Sequence, residues 1–271
     1  MAPSFFSVGP DAPTFPAALR QLSRPPARLW VAGHLPGNYE RRLALVGSRV
    51  ASLAGCRLAE RLAAAAVRAG FGVVSGGALG IDAAAHRGAL AAGGVTFAVL
   101  GCGIDVVYPD RHGPLFAEIA RSGGLLTELE PGTPPRRTHF PARNRLVAAL
   151  AEATIVVEAR PSSGALITAG LARRLGQRVF AVPGSAGCDE LLASGAALAI
   201  DDEGALLARL AGMVPDPPAV PAALAPLVAA LRAGAAAPID LALRMGATLP
   251  EVLAGLAEAE LSGWARRLPG G

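Results

Sequence analysis

The sequence predicts an α/β fold: a doubly wound, mainly parallel sheet followed by a small, separate C-terminal unit. Three observations carry this. Short β-branched, apolar runs alternate with alanine-rich helical stretches from about residue 43 to 211. Glycine clusters stand where those runs turn into helices, as in Ser75-Gly76-Gly77-Ala78-Leu79-Gly80. A proline-rich stretch from Met213 to Pro221 separates the alternation from three shorter helical segments.

In chain order, residues 1–40 carry many prolines and little periodicity, and read as a lead-in partly ordered against the main domain. Strands are expected near 43–46, 72–75, 96–100, 124–127, 154–158 and 178–182, apolar throughout as burial on both faces requires. Helices are expected near 52–69, 81–92, 114–121, 142–151, 164–175 and 202–211. Strand–helix alternation implies right-handed crossovers and a parallel sheet with helices on both faces. Residues 41–212 therefore read as a Rossmann-like domain, with ligands at the carboxyl ends of its strands. Residues 213–221 form a stiff linker. Beyond it, helical segments fit 222–233, 238–245 and 249–262, the last with Thr248 and Glu251 at capping-box spacing. Gly263-Trp264-Ala265-Arg266-Arg267-Leu268 suits a wing strand, so 222–271 reads as a winged-helix-like domain.

Composition bounds the function. All 25 basic Lys+Arg residues are arginine, so a phosphate-loop lysine is excluded. Net charge is +4 and unevenly placed: residues 1–200 hold 20 arginines against 13 acids, residues 201–271 hold 5 against 8. The positive first domain suits a polyanion. Cys56, Cys102 and Cys188 are few, scattered and odd in number, which favours reduced thiols over disulfides or zinc. The longest uncharged run, Gly88 to Ile104, falls short of a bilayer span, and the N-terminus lacks a signal-peptide pattern. The expectation is a cytoplasmic protein with no cofactor, no metal and no membrane insertion.

Two strand–turn–helix segments point to phosphate. Val74-Ser75-Gly76-Gly77-Ala78-Leu79-Gly80-Ile81-Asp82 opens a helix whose free N–H groups attract anions, with Asp82 placed as its cap. Val46-Gly47-Ser48-Arg49 repeats the design, with an arginine beside the turn. His86 lies four residues past Asp82, within pairing distance on one helix face. Between Glu130 and Glu152 there are no acids, while Arg136, Arg137, His139, Arg143 and Arg145 cluster around Phe140. Guanidinium groups for phosphates beside a ring for base stacking is what sequence-tolerant single-strand binding needs. The residues alone fit equally a solvated basic loop with Phe140 anchored in the core. There is no Ser-His-Asp order, no carboxylate pair in one turn and no metal spacing.

The chain resembles the DprA/Smf family, the DNA-processing proteins of natural transformation. The segments that carry the likeness run in family order. They are Val46-Gly47-Ser48-Arg49, Ser75 to Asp82 with His86, Ala98 to Pro109 (with Gly101-Cys102-Gly103-Ile104-Asp105 and Tyr108), Phe140-Pro141-Ala142-Arg143-Asn144-Arg145, Val156-Val157-Glu158-Ala159, Ser163-Gly164-Ala165-Leu166-Ile167-Thr168-Ala169 and Val179-Phe180-Ala181-Val182-Pro183-Gly184-Ser185. The resemblance implies a non-enzymatic homodimer that binds incoming single-stranded DNA, protects it and loads the recombinase RecA onto it. On this chain the implied DNA-binding residues are Gly47, Ser48, Arg49, Ser75, Gly76, Gly77, Gly80, Asp82, Gly101, Gly103, Arg137, Phe140, Arg143, Asn144, Arg145, Ser163, Gly164 and Thr168.

Three departures stand out: Gly77 where leucine is common, Asp189 where asparagine is usual, and no SAM-like domain ahead of residue 40. The rival class is a Rossmann-like nucleotide-processing enzyme related to phosphoribohydrolases, whose P-G-G-x-G-T-x-x-E segment is not matched by Pro183 to Glu190. The segment from about Leu249 to Leu261 carries three glutamates and no basic residue. Residues 222–271 are therefore expected to dock a protein surface or regulate the main domain, not to read duplex DNA.

Overall fold

The computed structural model describes residues 4–37, 41–211, 213, 223–232, 234 and 237–261. Among them the strands are β1 (Phe5–Val8), β2 (Leu29–Gly33), β3 (Arg42–Val46), β4 (Gly72–Ser75), β5 (Thr96–Val99), β6 (Gly124–Thr127), β7 (Ala153–Val156), β8 (Arg178–Ala181) and β9 (Leu198–Ala199). The helices are α1 (Ala17–Arg20), α2 (Leu53–Arg68), α3 (Ile81–Ala91), α4 (Gly113–Ser122), α5 (His139–Ala149), α6 (Gly164–Arg174), α7 (Ala186–Ala193), α8 (Glu203–Ala211), α9 (Ala225–Arg232), α10 (Pro238–Met245) and α11 (Leu249–Leu261). The chain divides into two compact units, Met1–Ala211 and Gly212–Gly271.

In the first unit all strands join one sheet of order β1-β2-β6-β5-β4-β3-β7-β8-β9. From β6 to β9 every pairing is parallel. Strands β3, β5, β6 and β7 are buried along their whole length, which their near-continuous apolar sequences allow. β3 pairs with β4 on one side and β7 on the other, so the winding direction reverses between β3 and β7. That switch point opens a crevice beyond the carboxyl ends of the strands.

The expected doubly wound, mainly parallel α/β sheet is the architecture found, but residues 1–40 hold more of it than the sequence reading allowed. β1 and β2 pair antiparallel, and β2 pairs antiparallel with β6, so the supposed lead-in supplies one edge of the sheet. Strands of four and five residues between prolines leave too few residues for a period to show. α5 begins at His139 rather than 142, because Pro141 falls in its first turn, where no intrahelical N–H is required. α7 and β9 also went unread.

In the second unit α9, α10 and α11 close around Leu224, Leu227, Val228, Leu241, Val252 and Ala259. Of the expected capping box the Glu251 half forms: the Thr248 amide donates to the Glu251 carboxylate at 2.8 Å, and the Thr248 hydroxyl also donates to it at 2.7 Å instead of accepting from the Glu251 amide. Most of the linker and the whole wing segment 263–268 lie outside the described residues.

Candidate nucleic-acid interface

At the switch point, a cleft of about 290 Å³ lies over the ends of β3, β4 and β7. It brings together ten of the predicted residues: Gly47, Ser48, Arg49, Gly76, Asp82, Arg143, Asn144, Ser163, Gly164 and Thr168. A smaller recess shares Arg49, Gly76 and Arg143 with it and adds Gly77, Gly101 and Phe140. Segments more than a hundred residues apart thus meet in one place because each follows a strand of the same sheet.

Four of the turns that follow parallel strands differ in one respect. In the β4–α3 turn the Asp82 carboxylate accepts from the amides of Gly76 and Ala78, at 3.1 and 3.3 Å. In the β3–α2 turn the Glu158 carboxylate accepts from the Ser52 amide and hydroxyl, and Ser52 in turn caps α2 through the Gly55 amide. In the β8–α7 turn Asp189 accepts from the Gly184 amide at 2.9 Å. Each of these positive backbone ends already holds an anion of the chain's own. The expectation that the β4–α3 turn itself seeks phosphate is therefore corrected: Asp82 occupies its amides instead of capping α3, whose N-cap is Gly80.

The β7–α6 turn is the open one. Ser163 stands at the N-cap of α6 without capping it, and its hydroxyl is buried without a partner among the described residues. The amides of Gly164 and Ala165 belong to the first turn, where no intrahelical acceptor exists. Ser162 before them holds a positive φ of 58°, an uncommon backbone state for a side-chain-bearing residue. Asn144 pins the turn by donating to the Gly164 carbonyl at 3.1 Å, and Thr168 donates to the same oxygen at 3.2 Å. A helix N-terminus with free amides and no carboxylate of its own is suited to an anion.

Two exposed arginines flank that turn. Arg160 follows β7 and was missed; its position between a strand end and Ser163-Gly164 was the available signal. Arg49 is exposed, pairs with no carboxylate among the described residues, and lies over the Phe140 ring at 4.7 Å from its centroid. Tyr108 packs on the same ring at 5.6 Å and is itself exposed. Gly101 makes this stack possible: a Cβ there would lie 2.7 Å from the Phe140 ring. Phe140 is thus a partly buried support beneath Arg49 and Tyr108, combining features of both sequence readings.

Other predicted residues take different places. Arg143 is buried and donates to the carbonyls of Gly76 and Val99, with its Nε directed at Asn144 at 3.3 Å. Burial pushes its pKa down to about 10, opposed by Asp82, while burial pushes the Asp82 carboxyl up, opposed by Arg143. It braces the cleft floor and does not present a free guanidinium. Arg145 forms a bidentate pair with Glu128 at 2.7 and 2.6 Å. Ser75 is buried and donates to the Leu45 carbonyl at 2.6 Å, tying β4 to β3 beneath the cleft. Gly80 shapes the turn at φ +75°, with a Cβ position 2.2 Å from the Ser48 carbonyl oxygen. Gly103 packs on the 130–133 loop, its amide donating to Thr133. Arg137 is exposed upstream of α5 and lines neither recess. His86 meets Thr96 at 2.8 Å through Nδ1, not Asp82.

Fold and cleft together define a Rossmann-like α/β protein with an arginine-flanked crevice at its switch point. The family model for DNA recombination-mediator protein A matches residues 7–210. The chain belongs to that family, the DprA/Smf proteins. It is 42% identical to a putative DNA processing protein DprA of Mycobacterium tuberculosis over 92% of this chain and 69% of the relative. It is 40% identical to Protein Smf of Synechocystis over 76% of this chain, spanning about half, 54%, of that protein's length. Among solved structures, it superposes with a TM-score of 0.71 on DNA processing protein A of Helicobacter pylori, a structure concerned with that protein's single-stranded DNA binding mode. There identity is 29%, covering 79% of this chain and 98% of the other.

Proposed function

We propose that the cleft binds single-stranded DNA through its phosphates, protects the incoming strand and presents it to the RecA recombinase, without catalysing a reaction on it. The observation that carries the reading is the open β7–α6 turn between Arg49 and Arg160, with the Tyr108–Phe140 stack beside it. Phosphate takes the free amides and guanidinium groups, and an exposed aromatic face takes a base. That the H. pylori relative binds single-stranded DNA supports the same ligand class. In this reading residues 41–212 carry DNA binding, 213–221 are a linker and 222–271 a winged-helix-like domain. The protein acts in the cytoplasm as a homodimer through its Rossmann-like domain. Among the described residues no helix is long and apolar enough to cross a membrane.

The test is affinity for single-stranded and duplex DNA of one length, measured across salt concentrations. Tighter single-strand binding with a steep salt dependence is the expected result. Equal affinity for both forms removes the stacking component. Hydrolysis of nucleoside monophosphates by the purified chain would instead favour the enzyme class.

A further inference from the structure

Among the described residues an arginine lies on an aromatic pair in two places, and both belong to the same edge of the sheet. β1 runs antiparallel to β2, and β2 antiparallel to β6, so β1 points the same way as β6. The β1–β2 connection, residues 9–28, therefore leaves the sheet at the carboxyl ends of the parallel strands, where the cleft lies. Trp30 is level with Thr127, the last residue of β6. Only β6 and β5 stand between β2 and β4, which sets these two strands about 14 Å apart along the sheet.

At this second place the Arg28 guanidinium lies over the Trp30 ring, 5.8 Å from its centroid, and donates to the Ser7 hydroxyl at 3.1 Å. Phe5 meets Trp30 edge-on, with ring centroids 5.9 Å apart and planes at 77°. The register sets Ser7 opposite Trp30 and Phe5 opposite Ala32, so these side chains share one face of the sheet. Phe5 is 40% exposed, and Arg28 is exposed with no carboxylate partner among the described residues. The arrangement repeats that of Arg49, Phe140 and Tyr108. The connection itself is positive, with Arg20, Arg24 and Arg28 against Asp11. Arg20 donates to the carbonyls of Pro10 and Ala12, which are neutral and leave its charge standing. The loop after β6, between the two ring pairs, adds exposed Arg136 and Arg137 against Glu130. A single exposed arginine is ordinarily a solvated one. Cationic loops that join two exposed ring pairs along one sheet edge suit a continuous phosphate backbone with unstacked bases.

We infer that Arg28, Trp30 and Phe5 form a second subsite for single-stranded nucleic acid, reached by a strand that leaves the cleft and crosses the β6–α5 loop. A base packs against the Phe5 and Trp30 rings, and the flanking phosphates meet Arg24 and Arg28. The inference rests on the cleft being a single-strand site. It uses none of the residues that line the cleft, so each can be tested without the other.

The experiment uses the full chain and labelled oligothymidines from about 4 to about 20 residues long, followed by fluorescence anisotropy across salt concentrations. Arg24→Ala with Arg28→Ala is expected to match the parent on the shortest strands and to bind the longest at least about tenfold more weakly. Its log–log salt slope on the longest strand should flatten by about 1.4, from two contacts of about 0.7 each. Phe5→Ala should weaken the longest strand several-fold with the slope intact. Circular dichroism should be unchanged in both variants. Full affinity of the folded double-alanine variant for the longest strand would overturn the inference. So would an equal loss at every length, because the two arginines would then act on the cleft through their field alone. Arg49→Ala separates the two assignments. If it weakens every length while the edge variants bind normally, the cleft stands and the second subsite falls. If it binds normally while the edge variants lose affinity, the cleft assignment fails and the edge remains a strand site.

Discussion

Arg49 and Arg143 both line the cleft, yet their surroundings assign them opposite consequences on removal. Arg49 is exposed and free of carboxylate partners among the described residues. If it meets a phosphate, Arg49→Ala removes a charge-assisted contact of about 1.5–3 kcal/mol, roughly 10–150-fold in affinity. It also removes one released counterion, so the log–log salt slope on single strands should flatten by about 0.7. Over a fourfold rise in salt, the variant's deficit relative to the parent should therefore shrink by about 2.6-fold. Fold stability should change little, since only the contact with Phe140 is lost, worth about 0.5–1 kcal/mol at an exposed site. Arg143 is buried against two carbonyls and beside Asp82, so Arg143→Ala leaves a buried carboxylate without its counter-charge. That should cost about 3–5 kcal/mol of stability. In a first unit of this size the melting temperature then falls by roughly 6–20 °C. The assay is anisotropy of a labelled oligonucleotide across salt, with calorimetry of both variants. A folded Arg49→Ala protein with unchanged affinity and slope refutes the phosphate assignment. An Arg143→Ala protein that melts normally but shows the flattened slope refutes the division of roles.

Three further outcomes follow from the same geometry. His86 is fully buried, donates through Nδ1 to a Thr96 hydroxyl already committed to the Val73 carbonyl, and leaves Nε2 unpartnered; burial lowers its pKa from 6.5 to about 3. The unfolded chain therefore binds the extra proton first. This contribution is full above pH 6.5 and is lost as pH falls towards 3, amounting to about 2 kcal/mol by pH 5 in urea titrations. His86→Leu should remove most of that dependence, and an identical pH profile would contradict it. Gly80→Ala meets the Ser48 oxygen at 2.2 Å with φ at +75° and should cost about 2–4 kcal/mol, whereas Gly176→Ala, at φ +74° with open space around it, should cost about 1–2. Equal losses in thermal melts would show that the close contact is relieved. Tyr108→Ala, which removes the exposed ring packed on Phe140, should weaken single-strand binding by about 1–3 kcal/mol with the salt slope intact, and an equal loss on duplex DNA would exclude stacking.

The parallel half of the sheet was readable because its strands are fully buried and each is followed by an alanine-rich helix. β1 and β2, four and five residues long, escaped notice because prolines crowd them and β2 joins the rest of the sheet only through β6, far along the chain. The cleft was readable as a set of turns, since Gly47, Gly76 and Ser163-Gly164 each mark a strand end. Which turns were available was not readable. Asp82, Glu158 and Asp189 fill turns with amides four to more than a hundred residues away, and no local pattern reports that. The same reason hid the distinction among Arg49, Arg143 and Arg145. Three arginines with similar sequence surroundings are respectively exposed, buried on carbonyls and locked to Glu128.

The resident carboxylates in three of the four turns also bear on ligand size. A free nucleotide reaching this crevice finds the β7–α6 turn open but the neighbouring β4–α3 turn already held by the Asp82 carboxylate. It gains too little from one or two phosphates to stay. A strand brings a phosphate with every residue and spreads its contacts along the rim, so weak attachments accumulate in one molecule. Affinity should therefore climb steeply with oligonucleotide length. Abundant small nucleotides would leave the groove unblocked, a form of selectivity set by what the turns already contain.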